Sequence, residues 1–242
     1  MKTLKITHLL PDLLNLYGDK GNIKTLVYRA KAREIDISVT EVLEQDTLNL
    51  EDTDILFLGG GTDTEQEKAL KKLQTYAKEI ADYVQKGGVL LATCGGFEML
   101  GTTLELNGKT TEGLHILNIT SLKQEPRLLG DIHCRYDGEG LSFPVVGFEN
   151  HSARIDIGDE TPLLKVVSGK GNNGKSGFEG VRKQNVFATS LHGPLLPKNP
   201  ELCDLILKTA YQMHYNETPS FCTLDDTIEH TARTVLENRL QK

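Results

Sequence analysis

The sequence predicts an α/β fold, in which a doubly wound, mostly parallel sheet is flanked by helices and extra antiparallel strands follow in the second half. Three observations support this prediction. Up to Gly101, apolar runs typical of buried strands alternate with amphipathic helical patterns. One apolar run, Val89 to Ala92, leads directly into Cys94 and a pair of glycines. Beyond Gly101, short strand-like runs separated by turns take over.

The chain begins with a predicted strand from Leu4 to Leu9. A polar loop that carries Tyr17, Asp19 and Asn22 separates it from a predicted helix, Ile23 to Arg33, whose apolar residues recur at helical spacing. The loop lies after a strand and before a helix, where α/β folds bind ligands. It is equally typical of a plain connection with a capping aspartate, and the residues alone do not decide between these interpretations.

The next elements complete the predicted parallel sheet. Ile35 to Val42 alternates apolar and polar residues, whereas Asp54 to Leu58 is apolar enough to be buried on both faces. Thr64 to Gln85 is predicted as one long helix, because a single apolar stripe runs along it. The stripe consists of Ala69, Leu70, Leu73, Tyr76, Ala77, Ile80, Ala81 and Val84.

The second half is predicted to contain more antiparallel pairing and two closing helices. Asn107 and Gly108 are typical of a tight turn between two strands. The predicted strands are Thr103 to Leu106, Leu114 to Leu122, Arg127 to Tyr136, Val145 to Ile157, Leu163 to Val167 and Gly180 to Thr189. The predicted helices are Pro200 to Tyr215 and Leu224 to Leu240.

Length and composition restrict the class of protein. A chain of 242 residues fits one large α/β domain or two small ones, and we expect a single domain over residues 1–242. The net charge of −7, without a basic block, argues against a nucleic-acid partner. No run of membrane-spanning length and no signal peptide is present, so we expect no membrane insertion. The four widely spaced cysteines are expected to be reduced thiols, which indicates the cytoplasm.

Cys94 is the candidate nucleophile. A buried strand, a reactive side chain, two glycines and then a helix form the layout of a nucleophile elbow. The glycines allow the tight turn, and the helix N-terminus is expected to favour the thiolate form of the sulfur. The alternative interpretation is a buried core cysteine at the end of a strand.

A cysteine nucleophile needs a base within hydrogen-bond reach. His192 is the first candidate, because it ends a predicted strand, Val186 to Leu191, and precedes a rigid Gly-Pro turn; a structural histidine at a turn is the alternative. His151 is the second candidate. A metal site built from His133, Cys134 and His151 lacks zinc-like spacing, so no metal is expected.

Three glycines follow the strand that ends at Leu58. The main-chain N–H groups of Gly59, Gly60 and Gly61 are free of side-chain hindrance and could hold a ligand oxygen or a developing oxyanion. A flexible turn is the alternative. A Cys–His pair with such a main-chain cradle suits acyl transfer from an amide or an ester.

The elbow, the glycine turn before it and the distant His192 together resemble the class I glutamine amidotransferases, which have a flavodoxin-like sheet. Three segments narrow the resemblance to the cobyric-acid-synthase type and to the glutaminase-subunit family of lipid II isoglutaminyl synthase. They are residues 14–23 (LNLYGDKGNI), 147–151 (GFENH) and 191–197 (LHGPLLP). The resemblance covers nearly the whole chain.

The resemblance implies roles for five residues. Cys94 would attack the side-chain amide of L-glutamine, while the main-chain N–H groups of Gly60 and Gly95 hold the oxyanion. His192 would transfer the protons. Arg127 matches the arginine with which the family binds the α-carboxylate of glutamine, although a surface arginine after a proline turn is the alternative.

One position departs from the wider class. Many class I enzymes have a glutamate two residues after the catalytic histidine, whereas this chain has Pro194 there. The resemblance therefore implies catalysis by the pair of Cys94 and His192, or by that pair with a third group from elsewhere. Glu149 is a candidate for this third group.

The resemblance also implies a partner. A Mur-ligase-like subunit, MurT, would form a heterodimer with this chain and use ATP to activate the α-carboxyl group of D-glutamate in the lipid II stem peptide. The ammonia would then complete D-isoglutamine during peptidoglycan synthesis. This chain has no phosphate-binding loop, so no cofactor is expected in it and ATP is expected on the partner. The alternatives are an amidotransferase domain that serves cobyrinate or another acid, and a non-catalytic scaffold for the ligase.

Overall fold

The computed structural model describes residues 2–240, so Met1, Gln241 and Lys242 lie outside the description. The strands are β1 (Lys2–Leu9), β2 (Ile35–Val42), β3 (Ile55–Leu58), β4 (Val89–Thr93), β5 (Thr103–Leu106), β6 (Lys109–Glu112), β7 (Thr120–Gly138), β8 (Leu141–Asp156), β9 (Leu164–Ser168), β10 (Phe178–Glu179), β11 (Val181–Lys183) and β12 (Val186–Thr189). The helices are α1 (Lys20–Lys31), α2 (Asp63–Gln74), α3 (Ala77–Gln85), α4 (Gly95–Met99), α5 (Pro200–Tyr215) and α6 (Thr227–Leu240).

The first sheet has six strands in the order β11-β12-β4-β3-β1-β2. All neighbouring strands are parallel except β11, which pairs with β12 in antiparallel orientation. The central strands β3 and β4 are buried on both faces. Successive side chains of a strand point to opposite sides of the sheet, so each strand contributes to two hydrophobic clusters. Ile55 and Phe57 contribute to one hydrophobic cluster with α1 and α5, whereas Leu56 and Leu58 contribute to a second cluster with α2 and α3. The prediction of a doubly wound α/β sheet with flanking helices is confirmed.

Strands β5 to β10 form a sheet of their own rather than an extension of the first, whereas β11 and β12 return to the first sheet. The order of this second sheet is β10-β9-β7-β5-β6, and β8 pairs with β7 as a long antiparallel hairpin. Both hydrophobic clusters contain residues from both sheets, with Ile132 and Val145 in one and Leu104 and Ile155 in the other. The single domain over residues 1–242 stays a prediction, whose ends lie outside the described residues.

Several predicted elements differ from the structure. The predicted helix from Thr64 to Gln85 is two helices, which separate at Thr75 and Tyr76 because the hydroxyl of Thr75 donates to the carbonyl of Lys72 and Tyr76 leaves the helical conformation. The predicted strand from Gly180 to Thr189 is the hairpin of β11 and β12. The predicted strand from Leu114 to Leu122 is irregular until β7 begins at Thr120, and the separately predicted strand from Arg127 to Tyr136 is part of β7.

The C-terminal helix α6 packs on its own chain. Arg233, which is buried, donates two hydrogen bonds to Glu201 of α5, and its guanidinium also reaches the carbonyl of Pro144 in β8. Glu237 faces His133 of β7 at 3.5 Å. Between residues 2 and 240, no helix combines the length and the apolar character needed to cross a membrane.

Candidate active site

Four loops meet at one edge of the first sheet. The carboxyl ends of parallel strands lie at the same edge, so the segments after β1, β3, β4 and β12 are neighbours in space. These segments carry Asp19, the glycine turn, Cys94 and His192, respectively. The structure therefore brings the predicted nucleophile, the predicted base and the predicted oxyanion turn to the same edge.

Cys94 occupies the strained turn that the sequence predicts. Its backbone has φ 52° and ψ −124°, a conformation that is costly for a residue with a side chain. Its N–H donates to the carbonyl of Thr189 at 2.8 Å, which ties the turn to the strand that leads to His192. Gly96 permits the turn, because a Cβ at this position would lie 2.4 Å from the carbonyl oxygen of Leu58.

Gly60 faces Cys94 from the other side. A Cβ on Gly60 would lie 2.8 Å from the Cβ and 3.1 Å from the Sγ of Cys94, so only glycine fits. Its N–H donates to Oδ2 of Asp19 at 2.9 Å, and its carbonyl accepts the N–H of Leu16 at 2.9 Å. The loop after β1 thus holds Gly60 on both sides, and in this arrangement its N–H points to Asp19.

The thiol of Cys94 is protonated in this arrangement. Burial raises the pKa of Cys94 to about 12, and the carboxylates of Glu98 and Asp19 raise it further, whereas the N–H of Gly95 lowers it. The N–H of Gly95 at the helix N-terminus favours the thiolate, as expected, but burial and the two carboxylates outweigh it in this state. A helix of five residues contributes less than the loss of solvation and two nearby carboxylates. The sulfur needs a base to remove its proton.

His192 is buried and unpaired. Its backbone N–H donates to the carbonyl of Phe148 at 3.3 Å, and its side chain is only 1% exposed. Within residues 2–240, neither ring nitrogen has a hydrogen-bond partner. Burial lowers the pKa of His192 to about 4, so the imidazole is neutral and can accept a proton. The ring of Tyr17 stacks on it, with centroids 4.4 Å apart and planes 12° apart.

Glu149 does not orient His192. Both of its carboxylate oxygens accept the backbone N–H of Lys170, and one also accepts the N–H of Gly171. The carboxylate is thus used by the loop between β9 and β10. Among residues 2–240, neither Glu149 nor another carboxylate makes a hydrogen bond to a ring nitrogen of His192.

Arg127 lies beside a cavity of about 290 Å³ at the same sheet edge. Its guanidinium donates from Nε to Oδ1 of Asn150 at 2.9 Å and from Nη2 to the carbonyl of Asn150 at 2.8 Å. The amide of Asn150 in turn donates to the hydroxyl of Tyr17 at 2.7 Å. The exposed guanidinium is therefore held by Asn150 and lies beside the cavity, where it can bind an anion.

Buried polar groups line the same cavity. Glu98 accepts a hydrogen bond from Ser121, and burial raises the pKa of its carboxyl group. Gln66 donates to the carbonyl of Gly61 at 2.8 Å. His151, the second candidate base, has Nδ1 3.0 Å from the carbonyl of Ala153, which leaves Nε2 as the acceptor of the neutral ring. Burial lowers the pKa of His151 to about 4.

The loop between β1 and α1 belongs to the site. The carboxylate of Asp19 makes no side-chain cap to the described helix α1; it accepts from Gly60 and, through Oδ1, from the hydroxyl of Thr93 at 3.1 Å. Asn22 accepts the N–H of Leu196, just beyond His192. Of the two interpretations left open by the sequence, the ligand-site interpretation therefore fits the contacts better. The sequence signal was the loop's place after the first strand.

Over residues 2–240, no group of three or more His, Cys, Asp or Glu side chains is arranged to hold a metal ion. The arrangement instead combines a strained cysteine, a neutral histidine, main-chain donors and an arginine. Such a set can perform acyl transfer on a substrate that carries a carboxylate.

Solved structures place the fold in one class. The glutaminase domain of CTPS from Trypanosoma brucei, with bound acivicin, matches 90% of this chain and 96% of its own, with a TM-score of 0.55 at 10% sequence identity. The fold is that of the class I glutamine amidotransferases.

Sequence relatives narrow the class. A family model described as the CobB/CobQ-like glutamine amidotransferase domain matches residues 5–200. The lipid II isoglutaminyl synthase (glutamine-hydrolyzing) subunit GatD of Staphylococcus aureus strain N315 is 40% identical over 87% of this chain and 85% of the relative. The subunit of the same name from Streptococcus pneumoniae strain ATCC BAA-255 / R6 is 37% identical over 93% of this chain and 87% of the relative. The chain therefore belongs to the CobB/CobQ-like glutamine amidotransferases and, within them, to the GatD family.

Proposed function

We propose that this chain is the glutaminase subunit of a lipid II isoglutaminyl synthase, which hydrolyses L-glutamine to glutamate and ammonia. The observation that carries the proposal is the elbow at Cys94, whose N–H is bonded to Thr189, the last residue of the strand that leads to His192. The names of the two GatD relatives support the assignment to glutamine and to lipid II.

The proposed reaction begins with proton transfer. Because the Cys94 thiol is protonated and the His192 imidazole is neutral, His192 takes the thiol proton as Sγ attacks the amide carbon of glutamine. A carbon–sulfur bond forms and the carbonyl oxygen becomes an oxyanion. His192 then returns the proton to the nitrogen, the carbon–nitrogen bond breaks and ammonia leaves. Water, activated by His192, hydrolyses the glutamyl thioester to glutamate.

Main-chain donors are proposed to hold the oxyanion. The N–H of Gly95 lies close enough to the sulfur to lower the pKa of Cys94, so it is well placed for this role. Gly60 touches Cys94, but its N–H is bonded to Asp19. We propose that Gly60 serves as the second donor after its N–H leaves Asp19.

Substrate recognition is proposed to rest on Arg127. Its guanidinium lines the cavity at the sheet edge, and a planar guanidinium matches a carboxylate in geometry and charge. The α-carboxylate of glutamine would bind there, with the side-chain amide directed to Cys94.

The ammonia is proposed to pass to a Mur-ligase-like subunit, MurT, in a heterodimer. That subunit would bind ATP and amidate the α-carboxyl group of D-glutamate in lipid II. The proposed location is the cytoplasm, which suits the four unpaired cysteines of this chain. These assignments rest on the family and on the absence of a phosphate-binding loop from the sequence.

The decisive experiment measures glutamate release from glutamine by the full chain co-expressed with its ligase subunit. Cys94→Ala and Cys94→Ser should abolish release, whereas the matched control Cys222→Ala, at an exposed cysteine, should retain it. Retained activity in Cys94→Ser would exclude the proposed role. Normal turnover in His192→Ala would move the base to His151. Supplying lipid II or cobyrinate as the acceptor identifies the acid that receives the ammonia.

A further inference from the structure

Tyr17 separates His192 from solvent. The two rings are stacked, and Tyr17 is 45% exposed while His192 beneath it is 1% exposed. Tyr17 has a left-handed backbone, with φ 58° and ψ 22°, which is unfavourable for a bulky residue and must be stabilised by its contacts. A base that is covered in this way cannot reach a substrate until the cover moves.

One side chain holds both the cover and the substrate-binding arginine. Asn150 donates to the hydroxyl of Tyr17 at 2.7 Å through its amide nitrogen, and its amide oxygen accepts the Nε–H of Arg127 at 2.9 Å. The backbone carbonyl of Asn150 accepts a further N–H of Arg127. A change at the guanidinium therefore reaches Tyr17 through a single amide group.

The cavity next to Arg127 stops short of the reacting groups. Its lining includes Tyr17, Arg127 and Asn150, but among the residues the structure describes neither Cys94 nor His192 lines it. The place where a carboxylate would bind and the place where the amide would react are thus separated in this state, with Tyr17 on the cavity side of His192.

We propose that Tyr17 is a substrate-responsive cover of His192, released when a carboxylate takes the Nε and Nη2 donors of Arg127 from Asn150. The proposal rests on the function proposed above and adds a rule of specificity: only amides that also carry an α-carboxylate uncover the base efficiently. Tyr17 and Asn150 act through His192 and are positioning residues.

The test compares two substrates, using the full chain co-expressed with its ligase subunit. One is L-glutamine, and the other is 4-aminobutanamide, which is glutamine without the α-carboxylate. Tyr17→Phe keeps the ring but removes the hydroxyl that Asn150 holds. We expect kcat/KM for 4-aminobutanamide to rise about tenfold, the effect of releasing one hydrogen bond, with kcat/KM for glutamine almost unchanged. Asn150→Ala should shift the ratio in the same direction.

The matched control is Tyr28→Phe, at an exposed tyrosine on α1 away from the site. It should leave both substrates unaffected. If Tyr17 is only structural, Tyr17→Phe will reduce both activities in proportion or alter neither, and an unchanged ratio overturns the proposal. Loss of glutamine hydrolysis in Cys94→Ala is a separate result, so failure of the proposed glutaminase is distinguishable from failure of the cover.

A second measurement requires no turnover. Diethyl pyrocarbonate modifies accessible neutral histidines, and peptide mass spectrometry reports the rate at each one. His192 should react slowly in the wild-type chain and faster in Tyr17→Ala, while exposed His115 serves as the internal reference. Equal rates at His192 in the wild type and in Tyr17→Ala would show that Tyr17 does not cover it.

Discussion

The carboxylate of Asp19 accepts the N–H of Gly60 at 2.9 Å, across 41 positions of sequence. The same carboxylate accepts the hydroxyl of Thr93, the residue directly before Cys94. One buried acid therefore joins the glycine turn to the elbow and fixes the two walls of the site relative to each other. Burial raises the pKa of Asp19 to about 6, which makes this link sensitive to pH.

Asp19→Asn should make stability less dependent on pH. The folded chain keeps the Asp19 proton up to about pH 6 while the unfolded chain loses it near 3.8, so this group contributes stability below about pH 4 that is lost as pH rises through 6. The contribution amounts to about 3 kcal/mol. Urea unfolding of the wild-type chain and of Asp19→Asn between about pH 4 and pH 6 isolates this contribution. The other titrating groups contribute equally to the free energy of unfolding of both proteins, so they cancel in the difference. If the free energy of unfolding changes with pH in the same way in both proteins, the pKa of Asp19 is not raised in the folded chain.

Gly60→Ala should reduce turnover in addition to stability. The new Cβ would meet Cys94 at 2.8 Å, so either the elbow or the glycine turn must shift. A misplaced nucleophile is expected to lower kcat about 100-fold. The control is Gly108→Ala, in an open turn with φ 72°, which should cost about 1 kcal/mol of stability and leave glutamate release intact. If Gly60→Ala and Gly108→Ala release glutamate with the same kcat, Gly60 has no role in positioning Cys94.

Arg127→Ala should raise KM for glutamine about 100-fold, because it removes the two charge-assisted hydrogen bonds that we propose Arg127 makes to the α-carboxylate. Steady-state glutamate release gives KM and kcat separately. Arg135→Ala is the matched control, since Arg135 is an exposed arginine of the same strand whose partners are Asp137 and Ser142. An unchanged KM in Arg127→Ala would place the carboxylate site elsewhere.

The nucleophile should be a thiol at rest. With a pKa of about 12 for Cys94 and about 4 for His192, the free chain holds a neutral pair near physiological pH. Ultraviolet difference spectra between the wild type and Cys94→Ala should show no thiolate absorbance at about pH 8. On the acid side, kcat/KM should fall steeply as His192 is protonated, below about pH 5. Thiolate absorbance at neutral pH would show that Cys94 loses its proton before the attack on glutamine rather than during it.

The sheet could be predicted from the sequence because its signals are local. An apolar run such as Ile55–Leu58 identifies a strand buried on both faces without any knowledge of its neighbours. The break between α2 and α3 could not be predicted in the same way. Leu73 and Ile80 lie on the same apolar stripe, and two non-helical residues between the helices leave that stripe continuous.

The same distinction holds at the site. Cys94 and His192 carry local signals, namely an elbow and a strand end before a Gly-Pro turn. Tyr17 and Asn150 meet across 133 positions, and no pattern in one segment indicates a partner so distant. The pKa of Cys94 could not be predicted for a related reason: the helix N-terminus, which lowers it, is adjacent in sequence, whereas the burial and the Asp19 carboxylate that raise it come from the fold.

A buried ion-pair network attaches the C-terminal segment to the rest of the fold. Arg29 of α1, which is 2% exposed, donates to Asp204 of α5 through Nε and Nη2 and to Asp226, just before α6, through Nη1 and Nη2. Arg33 adds a further bond to Asp204. Two carboxylates thus share one buried guanidinium, and they would lose their principal cation together.

Arg29→Met should therefore lower the free energy of unfolding by about 3 kcal/mol, since it leaves two half-buried carboxylates without their main partner. Urea denaturation measures the loss, and limited proteolysis should cut first in the segment before α6. Arg239→Met is the matched control: Arg239 lies on α6, is largely exposed and bonds Asp131 at 3.2 Å, so its loss should cost less than about 1 kcal/mol. If both variants unfold at the same urea concentration, the network does not hold α6 in place, and the packing of Arg233 on Glu201 must carry that role instead.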